Sequence, residues 1–422
     1  MTTLTDPPKE QFRLSMLLYD TRYRSATIQV IALLGFMLLA AFLINNTAQN
    51  LVALGKPIDF GFFGEPASYD INQRLLDYNS LDTHLRAALI GLLNTLVVAI
   101  LGCATATVLG VTIGVLRLSH NWLIARLMTI YVEMFRNVPV LLWIVFIMAI
   151  LIETLPAPRA FRGADPEASM ILGDSVALTN RGLYIPEALF SRSLGELHVF
   201  GDASVRFNIS LDMIVLLIVL GAGFWVSRII KKRADRIQEE TGDRPATWYL
   251  RLGVILVPLI IVLVILGFHL GKPELKGFNF AGGTHLRNSL IALWLALSLY
   301  TAAFIAEIVR AGIMAISKGQ TEAASALGLR PNRVMNLVVL PQALRVIVPP
   351  LISQYLNLTK NSSLAIAVGY MDITGTLGGI TMNQTGRELE CVLLLMLVYL
   401  TISLSISAVM NWYNESVKLK ER

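Results

Sequence analysis

Residues 319–345 of the chain read GQTEAASALGLRPNRVMNLVVLPQALR, a polar stretch between two long apolar segments. Helix-forming residues run from 320 to 327, and Gly328 then suits the left-handed end of a helix. Pro331 fits the first turn of a second helix, because proline has no backbone N–H to leave unbonded. Pro341 is expected to break that helix before the apolar sequence resumes. The stretch therefore predicts a helix–turn–helix, called the island below.

The composition on either side of the island is that of a membrane protein. Hydrophobic residues make up 55% of the 422 residues and charged residues only 15%, whereas a soluble chain would carry roughly 25% charged residues. The apolar residues occur in blocks that are long enough to cross a bilayer. We therefore predict an all-α polytopic membrane protein that is embedded in a lipid bilayer.

Eight apolar blocks are candidate membrane spans. They cover, approximately, residues 28–44, 87–116, 123–152, 211–226, 252–268, 290–314, 346–368 and 391–410. The first block could also be a secretory signal, but it is long and no small-x-small cleavage site follows it. We prefer an uncleaved first span, which gives about eight transmembrane helices.

The basic residues predict the orientation of these spans. The run RIIKKRADRIQEETGDR, residues 228–244, follows the fourth block and marks a cytoplasmic segment. Alternating the spans from there places both termini and the island in the cytoplasm, and residues 45–84 and 153–209 outside. The net charge of +6 is explained by this topology, so nucleic acid is not an expected partner.

No catalytic, metal-binding or cofactor motif appears in the sequence. The nearest approach to a phosphate loop, residues 267–273, has the wrong spacing and no Ser or Thr after Lys272. The five histidines are scattered without the spacing of metal ligands. The chain is therefore not expected to be an enzyme, and any ATP hydrolysis that drives it must occur on a separate subunit.

The seventh span contains a polar patch around or beyond the middle of the bilayer. Its members are Asn357, Thr359, Lys360, Asn361, Ser362 and Ser363. Polar groups at that depth face protein or water rather than lipid. They either hydrogen-bond between helices or line a substrate path, and the sequence leaves both interpretations open. Near the end of the sixth span, Glu307 and Arg310 are three residues apart and predict a structural ion pair.

The third span carries Glu133, Arg136 and Asn137 just before Pro139. In one interpretation, Glu133 and Arg136 pair with each other one turn apart, near the cytoplasmic end of a regular helix. In the other, Pro139 breaks the helix and the freed backbone groups line a cavity. Both interpretations remain open, and all three residues are candidates for the translocation path.

Several of these motifs together resemble one family. Glu322-Ala323-Ala324, Gly328 and then Leu340-Pro341 resemble, in residues and spacing, the EAA signature of ABC-importer permease subunits. The flanking stretches AEIVRAGI (306–313) and NLTKNSSLA (357–365), and YVEMFRNVPVLL (131–142) in the third span, resemble polar amino-acid permeases of the histidine/glutamate/glutamine branch. The resemblance implies a type I permease core of five helices.

Compared with that family pattern, this chain is enlarged. Residues 87–152 and 286–422 correspond to the two parts of the core, the second of which includes the island. Residues 1–86 add a first helix and an outside loop, and residues 153–285 insert an outside stretch and a helical hairpin. This enlargement resembles the larger permease of the general L-amino-acid systems, or of the glutamate/glutamine/aspartate/asparagine systems.

The resemblance implies a function and a set of partners. The chain would be the permease subunit of an importer of L-amino acids in a bacterial inner membrane. Its partners would be ABC ATPase subunits, a second homologous permease and a periplasmic amino-acid-binding protein. Glu322 would supply an acidic handle for the ATPase, while Ala323 and Ala324 would permit close approach.

A second class of function remains open at this point. An ion- or proton-coupled secondary transporter of amino acids could use Glu133, Arg136 and Lys360 as relay residues. Inverted repeats and discontinuous helices would favour that class, and no convincing repeat is present in the sequence.

Overall fold

The computed structural model describes residues 16–163, 166–199 and 207–417. The chain divides into two compact units, Met1–Phe60 and Gly61–Arg422. In the first unit, the short helix α1 (Met16–Tyr19) precedes α2 (Thr21–Ala53). The 33 residues of α2 include the first predicted span. The first 15 residues and the last five, which bear on the predicted location of the termini, lie outside the described residues.

Three helices open the second unit: α3 (His84–Leu116), α4 (Trp122–Asn137) and α5 (Val140–Thr154). The candidate span over residues 123–152 is interrupted, as the interpretation with a break at Pro139 predicts. The chain leaves the helical conformation at Val138 and Pro139, because proline disfavours the helical conformation in the residue before it.

The inserted stretch contains the predicted helical hairpin and, in addition, short strands that the sequence did not predict. In the described residues it holds nine strands: β1 (Ala177–Thr179), β2 (Gly182–Ile185), β3 (Glu187–Phe190), β4 (Glu196–Val199), β5 (Phe207–Ser210), β6 (Phe268–Gly271), β7 (Glu274–Lys276), β8 (Asn279–Ala281) and β9 (Thr284–Arg287). Antiparallel pairing gives the sheets β1-β2-β9, β3-β6, β4-β5 and β7-β8. Between β5 and β6, α6 (Leu211–Thr241) and α7 (Trp248–Ile265) form the predicted hairpin.

The rest of the described chain, up to Val417, is mainly helical. It comprises α8 (Asn288–Met314), α9 (Lys318–Ala326), α10 (Pro331–Val334), α11 (Leu340–Asn361), α12 (Met382–Thr385) and α13 (Glu388–Val417). A π-helical turn joins α10 to α11, a 3₁₀ segment (Ser362–Val368) follows α11, and a second π-helical segment (Thr374–Thr381) precedes α12. Because β9 leads into α8 and α8 leads into the island, we call the two ends of the helix bundle the strand end and the island end.

The predicted number of spans is confirmed. In the described residues, eight helical segments are long and apolar enough to cross a membrane. The third of them begins only at Val140, so α4 lies outside it. In α8, 72% of the most apolar 18-residue stretch is buried inside the protein, compared with 33% of the corresponding stretch in α3.

Small residues bring α3 and α8 close together. A β-carbon on Gly110 would lie 2.6 Å from Cβ of Ile305, and one on Gly114 would lie 2.7 Å from the carbonyl oxygen of Ala306. No real β-carbon tolerates such distances, so both positions need glycine while the helices are packed in this way. The Gly110–Gly114 spacing therefore marks the side of α3 that contacts α8.

The segment before α3 packs on the strand end of the bundle. Ile71 and Tyr78 are buried, and the Tyr69 hydroxyl lies 3.1 Å from the hydroxyl of Thr381. Residues 61–83, which the sequence analysis grouped with the first helix, thus belong to the second unit.

Candidate coupling surface and translocation path

The island is built from α9, a tight turn and α10. Gly328 follows α9 with φ +79°, the left-handed conformation that glycine adopts without steric cost. Its N–H donates to the carbonyl of Ser325 at 2.9 Å. Pro331 then occupies the first turn of α10. The predicted helix–turn–helix geometry is therefore present up to this point.

The expected break at Pro341 is absent. The N–H of Leu340 donates to the carbonyl of Met335, five residues earlier, and α11 begins there with Pro341 in its first turn. A widened π-helical turn accommodates the proline, which has no N–H to donate. As a result, α10, the π-helical turn and α11 form one helical run that leads from the island into the seventh candidate span.

A small apolar core holds the two halves of the island together. Ala324 is only 7% exposed and packs in one cluster with the buried Val334 and Val339, next to Ile313 at the end of α8. The prediction that Ala324 offers its small side chain to a partner is therefore corrected. Its size instead lets α9 lie close to the residues around the π-helical turn.

Other predicted island residues lie on the outside. Glu322, Ala323 and Gly328 are exposed, and so is Leu340, while Pro341 is half-buried. Large apolar side chains share this surface: Leu327 is 83% exposed and Leu337 is 59% exposed. A surface that combines exposed leucines with a carboxylate is typical of a protein–protein contact. We call it the coupling surface.

Close to the island, Glu307 on α8 is surrounded by three arginines. Its carboxylate contacts the guanidinium groups of Arg117 and Arg310, the latter at 3.1 Å, and lies 4.0 Å from that of Arg136. The predicted neighbours Glu307 and Arg310 are therefore in contact. Arg117 was not predicted as a partner of Glu307, because it lies 190 positions away in the chain. Its position at the end of an apolar block is the only signal that the sequence offers.

The residues before Pro139 do not make the predicted pair. Glu133 accepts a hydrogen bond from the amide of Asn137 at 3.3 Å, while Arg136 faces Glu307 and lies over the ring of Phe304. The interpretation in which Glu133 pairs with Arg136 is therefore wrong, whereas the break in the helix agrees with the other interpretation. That the freed backbone lines a cavity stays a prediction.

The polar patch lies at the C-terminal end of α11. Asn357 and Lys360 are exposed, Thr359 and Ser362 are buried, and Asn361 and Ser363 are half-buried. Next to the patch, Leu358 packs against α3, 3.0 Å from where a β-carbon of Gly102 would be. Gly102 is near the middle of α3, so the patch lies at about the middle of the bundle.

The hydroxyl groups of the patch bond within their own segment. Thr359 donates to the carbonyl of Tyr355 at 2.8 Å, Ser362 to that of Thr359 at 2.7 Å and Ser363 to that of Lys360 at 2.8 Å. These bonds satisfy backbone groups where α11 changes to 3₁₀ geometry. The other neutral polar groups of the patch are the side-chain amides of Asn357, which is exposed, and Asn361, which is half-buried.

The two predicted sets of path residues lie at different depths. Arg136 is beside Glu307, close to the island, whereas the patch is near the middle and its 3₁₀ extension ends at Val368. The structure thus does not bring Glu133, Arg136 and Lys360 together into one relay.

Comparison with known proteins identifies what the chain resembles. Residues 242–419 match the family described as binding-protein-dependent transport system inner membrane component. The glutamate/glutamine/aspartate/asparagine transport system permease protein BztB of Rhodobacter capsulatus is 58% identical over 430 residues, with full coverage of both chains. The general L-amino acid transport system permease protein AapQ of Rhizobium johnstonii is 42% identical, over 97% of this chain and 96% of its own. The putative amino-acid ABC transporter permease protein YhdX of Escherichia coli is 43% identical, over 94% and 95%.

Proposed function

This chain belongs to the family of amino-acid permeases of ABC importers, and we propose that it moves L-amino acids across the inner membrane under the control of a separate ATPase that docks on the island. The single observation that carries the coupling is the coupling surface itself. Glu322, Leu327 and Leu337 are all exposed there.

The position of the island explains how force could reach the path. The N-terminal end of α9 follows α8 after three residues, and the helical run from α10 to α11 leads from the island to the polar patch. A rotation of the island would therefore act at once on α8 and on α11. Two rigid elements that move together against the rest of the bundle are a suitable device for switching between two states.

The partners follow from this role. The relatives are permease subunits of amino-acid transport systems, so we expect a pair of ATPase subunits, a second homologous permease and a periplasmic binding protein. The island end would face the cytoplasm, where ATP is available, and the strand end the periplasm. The basic side chains of α6 agree with this orientation, because cytoplasmic segments are rich in Lys and Arg.

The polar patch is proposed as part of the path. Asn357, Lys360 and Asn361 present amide and ammonium groups near the middle of the bundle, where polar side chains are costly unless they have a function. Glu133, Arg136 and Asn137, near the island, remain candidates for its inner end. The Glu307 cluster is proposed as a structural joint.

The proposal is tested by reconstituting the chain with its permease, ATPase and binding-protein partners in proteoliposomes. We expect L-amino-acid uptake that requires ATP and continues when ionophores abolish all ion gradients. Uptake driven by an ion gradient without nucleotide would contradict the proposal. It would also support the alternative function, an ion- or proton-coupled secondary transporter. Family membership and the separation of Glu133 from Lys360 argue against that alternative.

A further inference from the structure

A cavity of about 440 Å³ lies at the strand end, where β2 and β9 meet the first turn of α8. Its polar wall includes Asn180, Arg181, His285, Arg287 and Asn288. None of the described residues that line it is acidic. The volume is within the range of sites for small molecules, and the two guanidinium groups favour an anionic ligand.

Three polar atoms that belong to residues lining this cavity are unbonded within the described part of the chain. Nε of Arg287 and the side-chain oxygens Oδ1 of Asn180 and Asn288 are buried and make no hydrogen bond with any described residue. Asn288 as a whole is only 3% exposed. Buried polar groups in native structures are rarely left unbonded, so three among the residues of one wall call for an explanation.

Hydrogen bonds fix how these groups are presented. The Nδ2 group of Asn288 donates to the carbonyl of Asn180 at 2.8 Å, so its Oδ1 is the atom left over. The backbone N–H of Arg287 donates to Oε1 of Gln73 at 3.0 Å. The wall is therefore held in place before any ligand arrives, which lowers the entropy that binding must overcome.

The β2–β9 pair brings the two arginines to the same wall. Gly182 is opposite Arg287 in the register, so Arg181 is next to that pair. Nε2 of His285 donates to the carbonyl of Arg181 at 3.2 Å, and its ring stacks on Tyr184 with centroids 4.1 Å apart. Burial lowers the pKa of His285, so the ring is a neutral support near pH 7.

The polar residues of this wall match the two charged groups of an amino acid. A guanidinium group binds a carboxylate through paired N–H donors, and two amide oxygens can accept hydrogen bonds from an ammonium group. We propose that this cavity binds a zwitterionic L-amino acid, with its α-carboxylate on Arg287 and its α-ammonium between Asn180 and Asn288. Arg181, exposed at the rim, would attract the second carboxylate of an acidic amino acid.

The site rests on the proposed function and adds a stage to it. Val368, which lines the cavity, ends the 3₁₀ segment that begins at Ser362 in the polar patch. An amino acid in the cavity would therefore be at the outer end of the proposed path. There it could be received from a binding protein before the bundle switches.

Equilibrium dialysis on the purified permease–ATPase complex, without binding protein and without ATP, tests this site. We expect saturable binding of radiolabelled L-glutamate at up to millimolar concentrations, weakened at least about tenfold by Arg287→Gln, which is roughly 1.4 kcal/mol. Arg181→Gln should weaken L-glutamate more than L-glutamine. Arg192→Gln, which changes an exposed arginine after β3, serves as the control and should leave binding unchanged.

Two results would overturn the site. One is an absence of saturable binding to a wild-type complex that still performs ATP-driven uptake of L-glutamate once binding protein is added. The other is binding that neither Arg287→Gln nor Arg181→Gln weakens, in variants that elute and unfold like the wild type. A wild-type complex that binds L-glutamate but does not transport it with ATP would contradict the proposed function and leave the site supported.

Discussion

Arg117, one residue past α3, contacts the carboxylate of Glu307 on α8, 190 positions later in the chain. Arg310, on α8, and Arg136, on α4, approach the same carboxylate. One acidic group thus joins three helices at the island end, close to where coupling forces are expected to enter the bundle. Three guanidinium groups share this one carboxylate, so the cluster carries a net positive charge. The carboxylate of Glu307 is the group that offsets part of that charge.

The first prediction concerns this joint. Glu307→Gln leaves the three arginines without their shared counter-charge, and Arg117, whose side chain is only 8% exposed, cannot turn to solvent. We expect the free energy of unfolding to fall by about 1–3 kcal/mol. Thermal unfolding of the purified complex in detergent measures this as a lower midpoint temperature.

Glu133→Gln is the matched control, because Glu133 is an exposed acid on α4 whose side chain bonds Asn137 on the same helix. It should leave the midpoint essentially unchanged. Equal losses in the two variants would show that net charge, rather than the joint, governs the effect.

The second prediction concerns the contact between α3 and α8. Gly110→Ala places a β-carbon 2.6 Å from Cβ of Ile305 and 3.0 Å from the carbonyl oxygen of Ala302. The helices must separate to admit it, at an expected cost of about 1–3 kcal/mol. The yield and the unfolding midpoint of the complex are the measurements.

Gly221→Ala in α6 provides the comparison, since a β-carbon there meets nothing within 4 Å. That variant should be as stable as the wild type or slightly more stable, because alanine favours helix over glycine. If the Gly110→Ala variant were as stable as the Gly221→Ala variant, the close packing of α3 against α8 would be contradicted.

The sequence predicted elements that depend on local chemistry or on long apolar runs. Eight spans, the left-handed Gly328 and the helix start at Pro331 all follow from such local signals. The predicted helix break at Pro341 is absent for a physical reason, because a π-helical turn accommodates the proline. The residue types around Pro341 do not distinguish such a turn from a break. The sheet β1-β2-β9 was missed because its strands have three or four residues each, too few for a periodic pattern.

The candidate functional residues divide in the same way, according to whether they are neighbours in the sequence. The island residues form a contiguous motif, so they could be identified together. The partners of Glu307 and the wall of the strand-end cavity come from distant parts of the chain, and only the fold brings them together. Ala324 shows a further limit, since the sequence cannot tell a small residue that faces a partner from one that packs inside.

The third prediction addresses the apolar part of the coupling surface. Leu327→Asp replaces a side chain that is 83% exposed and makes no contribution to the island core. The isolated chain should be as stable as the wild type, while its affinity for the ATPase subunits should fall by about 1–3 kcal/mol. Binding of purified ATPase to the chain in nanodiscs measures this.

Leu81→Asp is its control, because Leu81 is 82% exposed but precedes α3 at the strand end. It should bind the ATPase normally. If Leu81→Asp weakened ATPase binding as much as Leu327→Asp, the coupling surface would not be the site of docking.

The most direct test of coupling is the charge reversal Glu322→Lys, measured as ATP-driven L-amino-acid uptake by the reconstituted transporter, beside Glu239→Lys, an exposed acid on α6. Our account predicts that Glu322→Lys inserts and unfolds normally but loses both ATPase binding and uptake, while Glu239→Lys retains both. Normal ATP-driven uptake in Glu322→Lys would contradict it.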